Sequence, residues 1–129
     1  MTTGSWIPDA EKSSINLPGE AILAEWSAMG EDAISNLNES HIKTLSITMT
    51  AGVDLWQTHL ACCDNVTLES LLRFFTLAEM HHSQLRADKH NPAIACAKLL
   101  RKRGHSLDKS LLQWIRSVSD NRFLPYGPL

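Results

Sequence analysis

Apolar positions recur along this chain at three- and four-residue spacing and never in sustained alternation, which predicts helices throughout and no sheet. The strongest pattern runs from Thr67 to Lys89. It holds no Gly or Pro, it opens on a capping-competent Thr67, and Asn91-Pro92 ends it. Leu68, Leu71, Leu72, Phe75 and Ala78 share one face of such a helix, and Phe74, Leu77 and Leu85 widen that face past half the circumference. A helix this apolar is expected to lie at the centre, covered on more than one side. Ahead of it, Pro18-Gly19 opens a helix to about Asn38, with Ile22, Trp26, Met29, Ala33 and Leu37 inward. A second covers residues 41–63, where Ile42, Leu45, Met49, Gly52, Val53, Trp56, Leu60 and Cys63 form one stripe. After the central helix, Asn91 caps a helix over 92–103 that Gly104 stops, and Ser106 is positioned to cap a last one over 107–119. The connections are short, so the pattern predicts an all-α antiparallel bundle of five helices. Trp26, Met49, Val53, Trp56, Leu60, Leu72, Phe75, Leu111 and Ile115 are its expected core. Residues 1–16 read as a polar arm that Trp6 and Ile7 could anchor, 17–120 as the helical body, and 121–129 as an ordered tail.

Two polar residues interrupt the central stripe: Glu79 and His82 fall in the middle of the Leu68-Leu72-Phe75 face. Folding neighbouring helices back on one another places Gly52 level with Glu79, Met49 with His82, and Trp26 with Gly52. Gly within a helix costs about 1 kcal/mol relative to Ala, so Gly52 is expected to make room for the Trp26 indole. Glu79 should be buried and held by His82, an indole N–H or an Arg, because an unpaired carboxylate inside is too costly. If that role is structural, Glu79→Gln is expected to be tolerated. The sharper alternative is a ligand or metal pocket lined by Trp26, Met49, Gly52, Glu79 and His82. Glu79 and His82 have the Glu-x-x-His spacing of di-iron helical bundles, which require two such motifs. No other Glu of this chain has His three residues on, so no di-iron centre, metal or other cofactor is expected.

Charge changes the picture more by its placement than by its sum. The 129 residues suit one domain, and a formal charge of −2 gives no general attraction to nucleic acid. Residues 1–40, however, carry seven carboxylates against Lys12, a net of −6, while residues 86–109 carry a net of +5. Within the basic part, Lys98, Arg101, Lys102 and Arg103 form a candidate partner face, followed by a short turn in the outline of a helix-turn-helix. The detail departs from that motif, since Ser110 and Gln113 fall where apolar residues are needed and the second helix is weakly basic. Basic residues are also favoured at a helix C-terminus by the macrodipole alone. An acidic protein surface is therefore the expected partner and nucleic acid the second choice.

Three cysteines, two of them the neighbours Cys62 and Cys63, suit reduced thiols and a cytoplasmic setting, with small buried hydrophobes as their expected role. No basic leader or spanning apolar run appears. The tail residues Phe123, Leu124 and Tyr126 are too apolar for a free end and are expected to dock, on this chain or on a second copy. No Gly-rich phosphate loop or nucleophile-base ordering is present, and no catalytic residue is expected. The sequence thus suggests a small helical interaction or regulatory module, self-associating as a homodimer. The alternatives are a nucleic-acid-binding regulator using residues 92–103 and 107–119, and a ligand or metal site at Glu79 and His82.

Overall fold

The computed structural model describes residues 16–128; the proposed anchoring by Trp6 and Ile7 lies outside that range, as does Leu129. Every regular element among the described residues is helical. The described residues form seven α-helices: α1 (Glu20–Ser27), α2 (Glu31–Ser35), α3 (Glu39–Thr48), α4 (Val53–Leu60), α5 (Asn65–His81), α6 (Pro92–Lys102) and α7 (Lys109–Val118). Two 3₁₀ turns, Ser83–Leu85 and Asp88–His90, link α5 to α6.

The expected first and second helices are each divided in two. Gly30 is the extended N-cap of α2, and Glu31 and Asp32 follow in its first turn, where the positive helix end favours carboxylates. The second division falls at Gly52, whose φ of +120° is open to glycine and strained for any other residue. A Cβ built there meets no atom within 4 Å, so Gly52 supplies a backbone conformation and not room for Trp26. The break at Gly52 is closed from within. Thr48, whose carbonyl ends α3, accepts the Trp56 indole N–H at 2.8 Å.

The central helix also shifts. It starts at an Asp64 cap, whose carboxylate accepts the Thr67 N–H at 2.8 Å, and ends at His81 rather than Lys89. Asn91 caps α6 as expected, accepting the Ala93 N–H, and Gly104 adopts φ +76° beyond its C-terminus, where the His105 N–H reaches the Leu100 carbonyl. The α7 cap is Asp108, two residues beyond Ser106.

Four helices lie around α5 in definite directions. Trp56 of α4 stands edge-on to Phe75 at 5.2 Å, and α4 and α6 both run against α5. In contrast, α1 and α2 run along α5 in the same sense: Trp26 stacks on Phe74 at 4.9 Å, Glu31 meets His81, and the Ile34 carbonyl meets His82. The antiparallel register that set Trp26 level with Gly52 is therefore replaced by one in which Trp26 faces Phe74. Its cause is the α3–α4 excursion, which leaves the direct path between α1–α2 and α5. All nine expected core residues are buried except Val53, which is half-buried against the core.

Candidate functional site

Glu79 is 2% exposed and sits where three segments of chain converge. Its Oε2 accepts the backbone N–H groups of Ala87 and Asp88, each at 2.8 Å. Its Oε1 accepts the side-chain amides of Asn91 at 2.9 Å and Asn121 at 2.8 Å. Both amides are fixed in orientation, because the Asn91 oxygen caps α6 and the Asn121 oxygen accepts the Phe123 N–H. The Arg86 Nε lies 3.8 Å from the same carboxylate and binds Asp88 at 2.7 Å, while its terminal nitrogen donates to Asp120 at 2.6 Å. Hydrogen bonds to Asp120 and then Asp88 hold the Arg86 guanidinium firmly protonated, and Arg86 in turn holds the Asp120 carboxyl below its ordinary range.

Four donors fill the acceptor positions of one carboxylate, so Glu79 has no lone pair turned to a ligand. The donors differ from those expected: two loop amides of the backbone and two Asn side chains, with neither His82 nor an indole among them. His82 instead meets the Ile34 carbonyl at 2.8 Å, and the Trp26 indole donates to His41 at 2.9 Å. Trp26 and Met49 are core side chains, and Gly52 lies at the surface end of α4. The five residues expected to line a mid-body pocket are not brought together around open space. Asn91 was legible only as a cap, and nothing local marks Asn121 as a partner of Glu79.

The basic segment is also taken apart. Arg103 donates to the carbonyls of Ala61 and Cys63 at 2.7 Å and to Asn65 at 3.0 Å, so it closes the α4–α5 turn. Arg101 lies 4.2 Å over the Tyr126 ring, a cation–π contact with the tail. Lys102 is exposed and Lys98 half-buried. The tail follows α6: Leu124 and Tyr126 pack against the core, Phe123 is half-buried, and Gly127 lies against Ile94 and Lys98.

What remains open at α6 is a cleft of about 510 Å³ between its first turns and the start of α4. Its apolar wall is Val53, Leu55, Ile94 and Pro128, and its edge carries the cations Lys89 and Lys98 with His90 beside them, Asp54 being the acidic exception. Leu55 is 44% exposed there.

Opposite in charge is the layer made by α1 and α2. Residues 16–40 carry Glu20, Glu25, Glu31, Asp32 and Glu39 and no Lys or Arg. On its outer surface Ala21, Ala24, Ala28 and Ala33 are exposed among the carboxylates. Polar attachment of this layer falls to histidines: His41 to Trp26 and Glu25, His59 to the Pro18 carbonyl, His81 to Glu31, and His82 to the Ile34 carbonyl.

No helix among the described residues is long and apolar enough to cross a membrane, and no group of three or more His, Cys, Asp or Glu among them is placed to hold a metal ion. No family model, curated protein or solved structure matches this chain.

Proposed function

We propose that this protein is a small helical interaction module, without catalysis of its own, that self-associates by seating the acidic α1–α2 layer of one copy against the α4–α6 cleft of another. The observation that carries the reading is the cleft itself, an apolar wall edged by Lys89, His90 and Lys98. A surface of that kind suits an acidic segment with small apolar residues between its carboxylates, which is the composition of the outer face of α1–α2. Charge complementarity of this sort selects the partner and speeds encounter more than it adds affinity, so the apolar wall must supply most of the binding energy. A two-fold dimer with two such reciprocal contacts closes on itself. Because Pro128 forms part of the cleft wall, the tail from Arg122 onward contributes to the contact.

Nucleic acid suits the geometry less well. Of the four basic residues, Arg103 is committed to the α4–α5 turn and Arg101 to Tyr126, which leaves few cations to neutralise phosphates.

Charge reversal on the two surfaces tests the dimer. Lys89→Glu/Lys98→Glu and Glu20→Lys/Asp32→Lys should each be monomeric alone, by sedimentation velocity. An equimolar mixture should dimerise, because each contact then again pairs opposite charges. Two variants that dimerise alone as well as the parent would sink the proposal.

A further inference from the structure

Cys62 and Cys63 do not behave as the small buried hydrophobes expected of them. Only Cys96 is buried; Cys62 is exposed and Cys63 half-buried, and all three are free thiols. The pair lies in the non-helical turn between α4 and α5, where neither side chain is committed to a helix face. Both cysteines line one cavity of about 250 Å³ at the junction with α1. Leu23 and Ala24 form its apolar side, and Glu20 and Asp64 bring negative charge. Adjacent residues have Cα atoms about 3.8 Å apart, so two neighbouring cysteines that line one cavity can bring both sulfurs to a single atom.

We propose that Cys62 and Cys63 form a dithiol site for a trivalent organoarsenical, whose organic substituent lies in the cavity beside Leu23 and Ala24. The exchange is R–As(OH)₂ + 2 Cys–SH → R–As(S–Cys)₂ + 2 H₂O. Two As–O bonds break and two As–S bonds form; each thiol proton leaves with a hydroxyl as water, and no atom changes oxidation state. Two sulfurs complete the coordination of an arsenic that already carries one carbon. A divalent metal asks for about four protein or solvent donors, and no set of three or more is gathered here.

The probe is phenylarsine oxide added to the full reduced chain. Intact-mass measurement should show one adduct per chain, removed by a small dithiol and resistant to excess monothiol. Cys62→Ser and Cys63→Ser should each weaken binding by about 100-fold or more, the loss expected when a second attachment is no longer intramolecular. Cys96→Ala should bind as the parent does. The exposed position of Cys62 makes its Ser variant safe for folding, which circular dichroism verifies. Undiminished binding by Cys62→Ser, or an adduct that survives only when Cys96 is present, overturns the assignment.

Discussion

The carboxylate of Glu79 accepts two N–H bonds at each oxygen, and this arrangement tells against its amide. In Glu79→Gln the side-chain NH₂ replaces one oxygen and points a donor at two donors. Asn91 and Asn121 cannot turn round to accept from it without abandoning Ala93 and Phe123. We therefore expect Glu79→Gln to destabilise the protein by about 2–4 kcal/mol by urea denaturation, contrary to the tolerance that the sequence suggested. Asn121→Ala, which strips Glu79 and the Asp88 carbonyl of donors, should cost about 1–3 kcal/mol by the same measurement. The sequence marked Glu79 because a carboxylate stood in an apolar stripe. It was silent on the partners, since Asn121 is 42 residues away and only the folded chain brings it near. The neighbouring Asp120 carries a separate signature. Its carboxyl is held below the ordinary range by Arg86, so its stabilising effect is present above the unfolded value near 3.8 and fades as pH falls through the lower folded value. Acid unfolding of Asp120→Asn should therefore be less steep below about pH 4 than that of the parent.

Helix breaks were harder to read than helix existence. Met49, Val53 and Trp56 keep helical phase across Gly52, so the apolar stripe continues although the backbone does not. A break that preserves phase leaves no trace in a hydrophobic pattern, and Gly52 was open to a packing explanation instead. Its φ of +120° makes a sharper prediction: Gly52→Ala should destabilise by roughly 1–3 kcal/mol despite open space around the new methyl, measured by thermal unfolding. The α1–α2 layer is a second case. Its apolar face was legible, but its direction along α5 was not, because short apparent connections concealed the α3–α4 excursion. Its attachment depends on Trp26, whose fully buried indole N–H has His41 as acceptor. His41→Phe removes that acceptor while keeping a ring, and should cost about 1–3 kcal/mol by chemical denaturation followed through Trp fluorescence.

Across the molecule, charge separation was the one property fully visible in the sequence, and the fold gives it two surfaces. The acidic residues gather on the small-residue face of α1–α2, and Lys89, His90 and Lys98 edge the α4–α6 cleft. The linear cluster Lys98-Arg101-Lys102-Arg103 misled in one respect. Helical periodicity and the Gly104 turn send its members to a cleft, a tail ring, solvent and a neighbouring turn. Lys89, outside that cluster, completes the cationic edge instead. The proposed association is tested most directly by sedimentation equilibrium of the full chain at micromolar concentration, at low and high salt, beside Lys89→Glu/Lys98→Glu. The account predicts a dimer of the parent that weakens with salt and a double variant that is monomeric throughout. A parent that is monomeric even at low salt, or a double variant that dimerises equally well, would contradict it.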